Sequence, residues 1–115
     1  MRIMIDKDTL EKYRQAGEIA AEVREKMKRY VKEGMRIIEI CEKAERLIKK
    51  RGGKPAFPCN ISVNEIAAHY TSPPNDERRI PKGAVVKIDI GVHVDGYVAD
   101  TAATVSFNPQ YEELV

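Results

Sequence analysis

The chain has 115 residues, a formal net charge of +2, 33% charged residues and no tryptophan. This length fits one small domain over residues 1–115 with a modest core, and the near-balanced charge gives no support for a nucleic-acid partner or an acidic membrane surface. No apolar run approaches the length of a membrane span, and the charged start is unlike a signal peptide. Cys41 and Cys59 are the only cysteines, which excludes a disulfide framework and favours a cytoplasmic protein.

Two amphipathic helices are predicted in the first half of the chain. Asp8 followed by Glu11 is typical of a helix start. Apolar residues then recur at three- and four-residue steps and predict a first helix over about 8–33, which Gly34 ends. A second apolar face of the same period predicts a helix over about 37–51. Glutamates interleave with the lysines and arginines of both helices, which argues against a basic stripe that binds nucleic acid.

The second half of the chain predicts a small antiparallel sheet. Proline- and glycine-containing loops separate four short segments of strand character. We expect these strands over about 57–63, 66–70, 84–94 and 97–106. The predicted fold class is therefore α+β, with two helices packed on one face of the sheet.

The clearest local signal is a β-hairpin around Asp95-Gly96. Both residues of such a two-residue turn need a positive φ, which Asp and Gly tolerate. With this turn, Asp100 lies opposite Gly91 and Asp89 lies opposite Ala102. Side chains alternate along a strand, so both carboxylates point the same way. They occupy diagonal positions, with Cβ atoms about 7–8 Å apart.

The two aspartates allow two interpretations, a solvent-exposed face without a site and a functional site. A solvated face is the simpler one, because a strand buried on one side normally presents charged residues to water on the other. However, Asp is depleted in strands, and two carboxylates on one face repel each other unless a cation lies between them. A pair of divalent ions bridged by carboxylate would remove this repulsion. Asp89 and Asp100 therefore predict half of a dinuclear metal site.

Three other side chains give weaker signals. His69 follows two small alanines, and it is either a satisfied strand histidine or a donor beside a metal or a substrate oxygen. Phe57, between an alanine and a proline, is more often a core residue than the wall of a pocket. His93 lies beside the hairpin turn and is expected in solvent rather than as a metal ligand.

Four segments of the chain form a long, ordered set of motifs: Gly53-Lys54-Pro55-Ala56-Phe57-Pro58, Asn64-Glu65-Ile66-Ala67-Ala68-His69-Tyr70-Thr71, Lys87-Ile88-Asp89-Ile90-Gly91-Val92-His93-Val94-Asp95-Gly96 and Ala99-Asp100-Thr101-Ala102. These segments resemble the type II methionine aminopeptidases of archaea and eukaryotes, and the resemblance extends through nearly the whole chain. Prolidases and creatinases share the Asp pair but tend to follow its second member with a Thr-Arg pattern, whereas this chain has Thr101-Ala102.

This resemblance implies the pita-bread fold, with the chain as its N-terminal half. It also implies a site for two divalent metal ions (cobalt, manganese, iron or zinc), held by two Asp, one His and two Glu. Asp89 would chelate one ion and Asp100 would bridge both. His69 would donate a hydrogen bond to the reacting carbonyl, and Phe57 and Asn60 would lie near the pocket for the methionine side chain.

The implied reaction is the removal of N-terminal methionine from nascent proteins. The family's remaining ligands belong to its C-terminal half, so the chain would supply two of the five and is expected to be inactive without that half. Two alternatives stay open. Two copies could pair to rebuild a full sheet, or the chain could be a non-catalytic pita-bread module that binds a partner.

Overall fold

A computed structural model describes residues 6–64 and 77–108 of the chain. The expected arrangement of two helices packed on a small antiparallel sheet is confirmed. Within the described residues no helix is long and apolar enough to cross a membrane. The elements are α1 (Lys7–Tyr30), α2 (Ile37–Lys50), β1 (Lys54–Pro55), β2 (Asn60–Val63), β3 (Val85–Val94) and β4 (Tyr97–Ser106).

Helix α1 begins with a side-chain cap and ends earlier than its expected limit near residue 33. The amide of Thr9 donates to Oδ1 of Asp6 at 2.7 Å, and this bond lowers the pKa of the Asp6 carboxyl. The helix ends at Tyr30 because Val31 turns to an extended conformation, with ψ 129°. Val31 thereby directs its side chain into the core, where it is 1% exposed.

Strand β3 is the centre of the sheet. It pairs antiparallel with β4 along its whole length, and its other edge pairs with β2 and then with β1. Asp89 lies opposite Ala102 and Asp100 lies opposite Gly91, as the hairpin turn predicted. The turn residues have the required positive φ, 50° at Asp95 and 86° at Gly96.

The entry to the sheet differs from the expectation. The strand expected over 57–63 begins only at Asn60, and Lys54–Pro55 forms a separate short strand. Pro58 lies in the gap between these two strands, and it interrupts a continuous strand because proline lacks the amide hydrogen that a ladder needs. The strand expected over 66–70 lies outside the described residues.

The core lies between the helices and one face of the sheet. Alternate residues of β3 are buried on that face, whereas the residues between them belong to the opposite face. The helices contribute one apolar stripe each, as their periodicity predicted. The largest fully buried side chains are Met27, Ile40, Ile61, Ile80, Ile88, Ile90, Val23, Val31, Val86 and Val92.

We predict that Gly53→Ala destabilises the fold. A Cβ at this buried position would lie 2.8 Å from Cγ1 of Val92 and 3.4 Å from atoms of Ile19 and Ile48. The contact falls on a short, stiff side chain of the central strand, so the helix–sheet packing has to shift. Overpacking of this kind costs about 1–3 kcal/mol, measurable as a lower free energy of unfolding in urea.

Gly17→Ala is the matched control for this prediction. Gly17 lies inside α1, and a Cβ there would meet no atom within 4 Å. The same substitution should therefore stabilise the chain by roughly 0.5–1 kcal/mol through helix propensity. Equal unfolding free energies for the two variants would contradict the packing described at Gly53.

Candidate metal centre

Three neighbouring strands bring polar side chains to the face of the sheet that the helices leave open. Asp89 is on β3 and Asp100 is on β4, two positions apart in register. On the other edge of β3, Asn60 is paired directly with Asp89. Directly paired residues share a face of a sheet, so the Asn60 amide and the two carboxylates project to the same side.

These side chains line an open cavity of about 400 Å³. Its walls are Phe57, Asn60, Asp89, Asp100, Thr101 and Ala102. Four of the five site residues expected from the sequence are thus brought together. The fifth, His69, lies outside the described residues.

Phe57 forms the wall of this cavity above Gly91. A Cβ at Gly91 would overlap the Phe57 ring, so the ring lies directly on the glycine backbone. The absence of a side chain at Gly91 therefore makes room for an aromatic ring beside Asp100. The composition of the loop favoured a core position for Phe57, but the ring is only half-buried and faces the cavity.

The charge around the carboxylates is partly balanced by Lys87. Its Nζ lies 3.5 Å from Oδ1 of Asp89, and the two side chains are 54% and 32% exposed. A pair this exposed is weak and screened by salt. Lys87 precedes Asp89 by two positions on the same strand, so the alternation of side chains could have indicated this contact from the sequence.

Two nearby groups do not join the candidate centre. Cys59 precedes Asn60 but is buried, and Sγ of Cys41 donates to its carbonyl at 3.5 Å. Hydrogen bonding with Cys41 and burial raise the pKa of the Cys59 thiol, so it stays protonated at neutral pH. His93 is half-buried rather than in solvent, because β1 pairs beside it, and its Nδ1 accepts from the Gly96 amide at 3.3 Å.

The donor atoms suit a hard divalent ion. Carboxylate and amide oxygens are the ligands preferred by such ions, and the small Ala102 beside Asp89 leaves space above the sheet. Within residues 6–64 and 77–108, no three His, Cys, Asp or Glu side chains converge on one point. The two aspartates are therefore suited to part of a metal centre, and the described residues place no third His, Cys, Asp or Glu side chain beside them.

Comparison with known proteins identifies the family. The model of metallopeptidase family M24 matches residues 11–115. A methionine aminopeptidase of Methanothermus fervidus is 56% identical over 105 residues, which are 91% of this chain and 55% of that protein. One of Saccharolobus solfataricus is 47% identical over 108 residues, which are 94% of this chain and 36% of that protein. The chain thus spans about half or less of these relatives, and the resemblance to methionine aminopeptidases is confirmed.

Solved structures give the same answer for the fold. A methionine aminopeptidase of Thermotoga maritima matches with a TM-score of 0.81 and 25% identity over 100% of this chain and 50% of that one. The prolidase of Pyrococcus furiosus matches with a TM-score of 0.72 and 29% identity over 90% of this chain and 33% of that one. The expected pita-bread architecture is therefore confirmed, and the chain belongs to metallopeptidase family M24.

Proposed function

We propose that this chain supplies the aspartate pair of a dinuclear metal centre in an enzyme that removes N-terminal methionine from nascent proteins. The observation that carries the proposal is the convergence of Asp89 and Asp100 with Phe57 and Asn60 around one cavity. Methionine aminopeptidases among the relatives support the substrate class. Such an activity belongs in the cytoplasm, where nascent chains appear.

The aspartates hold the metals in this proposal. Asp89 would hold one divalent ion and Asp100 would be shared by two, with cobalt, manganese, iron or zinc as the candidates. When bound, the ions supply Lewis acidity that activates water and polarises the scissile carbonyl. The family resemblance implies three further ligands, one His and two Glu, which the aspartate pair does not supply, so we expect the 115-residue chain alone to be inactive.

The other site residues bind and orient the peptide. The Phe57 ring offers an apolar surface, and thioethers contact aromatic rings favourably. Asn60, beside Asp89, closes the pocket on the β2 side. His69 donates a hydrogen bond to the carbonyl oxygen as negative charge develops on it. The open cavity and the retained aspartate pair favour this enzyme over a non-catalytic binding module.

The source of the missing ligands has two candidates. One is the C-terminal half of the fold, and the other is a second copy of the chain. Among the described strands, none pairs with the outer edge of β4. Such an edge can accept a further strand from either source. Analytical ultracentrifugation of the 115-residue chain with and without Mn²⁺ distinguishes these two sources. A dimer that forms only with Mn²⁺ would favour the second copy, and a monomer under both conditions would favour the C-terminal half.

We predict that Asp100→Asn abolishes metal binding and activity. The test protein is a chimera in which this chain replaces the matching 108 residues of the Saccharolobus solfataricus relative. The unaltered chimera should bind Mn²⁺ and release methionine from a Met-Ala-Ser peptide. Asp100→Asn and Asp89→Asn should each lower Mn²⁺ affinity at least about a hundredfold, since even outer-shell partners cost 10–100-fold. Calorimetry and a methionine-release assay measure the two effects.

Asp95→Asn is the control for these variants. Asp95 lies in the same hairpin, is exposed, and has its Oδ2 3.3 Å from Nζ of Lys12. The substitution removes the same charge far from the cavity, and both Mn²⁺ affinity and activity should stay unchanged. A chimera that binds no Mn²⁺, or one that is active with both site aspartates replaced, would refute the proposed function.

We further predict that Gly91→Ala impairs peptide binding. The added methyl group would displace the Phe57 ring and reshape the pocket. KM for Met-Ala-Ser should rise roughly tenfold, within the range that one methyl group contributes in an apolar pocket. Steady-state kinetics of the chimera measure this, with Gly17→Ala as the matched control. An unchanged KM in a folded Gly91→Ala variant would show that Phe57 does not contribute to the methionine pocket.

A further inference from the structure

A long-range hydrogen bond joins helix α1 to the strand that carries Asp100. Nη1 of Arg24 donates to Oγ1 of Thr101 at 3.0 Å, in a partly buried position. Among the described residues, only one other side-chain hydrogen bond joins α1 to β4. It is the 3.5 Å contact between Thr9 and Tyr97 at the hairpin tip. The Arg24 bond is therefore the side-chain link next to the candidate centre.

The position of Thr101 makes this link relevant to Asp100. The two residues are consecutive in β4, so their side chains project to opposite faces of the sheet. Thr101 borders the cavity, but its hydroxyl reaches Arg24 on the helix side, whereas Asp100 faces the cavity. A restraint on the Thr101 side chain therefore acts on the stretch of β4 backbone that carries Asp100.

The sheet offers Asp100 few side-chain contacts of its own on either side of β4. Its cross-strand partner is Gly91, which has no side chain to pack against it. Cross-strand side-chain pairs normally stabilise a strand position. The outer edge of β4 has no partner strand among the described residues. Helix α1 thus supplies, through Arg24 and Thr101, a side-chain contact that the neighbouring strand does not supply to Asp100.

We propose that Arg24 is a positioning residue, which orients Asp100 for metal binding through its hydrogen bond to Thr101. This inference rests on the proposed function, because it assigns Asp100 a role as a ligand. A charged donor makes a stronger hydrogen bond than a neutral one. Partners that orient metal ligands typically tune affinity without touching the ion.

The test compares Thr101→Val with Thr101→Ser in the chimera. Valine keeps the shape and the strand propensity of threonine but removes the hydroxyl acceptor, whereas serine keeps it. We expect Thr101→Val to weaken Mn²⁺ binding about tenfold, at the lower end for outer-shell partners, and Thr101→Ser to bind within about twofold of the unaltered protein. Calorimetry gives the affinities, and thermal unfolding of the metal-free proteins gives stability.

Variants of the donor complete the test. Arg24→Met should weaken Mn²⁺ binding as much as Thr101→Val, and the double variant should be no worse than either, because both remove one interaction. Arg24→Lys retains a cationic donor and should restore part of the affinity. Arg14→Met is the control, since Arg14 pairs with Glu11 and Glu18 on the same helix and should leave the affinity unchanged.

The outcomes separate this inference from the function on which it rests. If Thr101→Val and Arg24→Met lower the melting temperature but bind Mn²⁺ as tightly as the unaltered chimera, the bond is only a structural tie and the inference is wrong. If Asp100→Asn also binds Mn²⁺ normally, the proposed function fails as well. Loss of affinity in Thr101→Val with retention in Thr101→Ser supports both.

Discussion

The register between β3 and β4 is the constraint on which the rest of the structure depends. It is set by the positive φ values of Asp95 and Gly96, and it places every residue of the hairpin on one of two faces. A slip of β3 by one residue would move Asp89 to the helix side and the apolar residues of the strand to the open side, away from the face that Asp100 occupies. The burial of alternate β3 side chains under the helices makes such a slip very unfavourable.

The same alternation keeps the candidate centre separate from the core. The helices and the apolar face of β3 form the packed interior, while the carboxylates stay on the open face and remain in contact with water. A partly solvated carboxylate carries only a small desolvation cost. The packed interior therefore contains neither carboxylate, unlike that of small domains whose metal ligands lie at the centre of their structure.

The local part of this architecture could be predicted from the sequence, and the non-local part could not. The turn at Asp95 fixes the pairing of Asp89 with Ala102, because only two residues separate the strands. The pairing of Asn60 with Asp89 joins strands that no short turn connects, so no local rule gives its register. Asn60 was named as a site residue through family resemblance alone. The hydrogen bond from Arg24 to Thr101 joins residues 77 positions apart, and no local pattern in the sequence indicates such a contact.

The close contact of the Phe57 ring with Gly91 limits which residues this cavity can accept at position 91. The residue at position 91 lies under the aromatic wall and directly across from Asp100. Any side chain at that position would press on the wall and crowd the carboxylate at once. A change of the cavity through position 91 would therefore also change the space around Asp100. The glycine is thus the position at which the shape of the aromatic wall and the room around the carboxylate are set together.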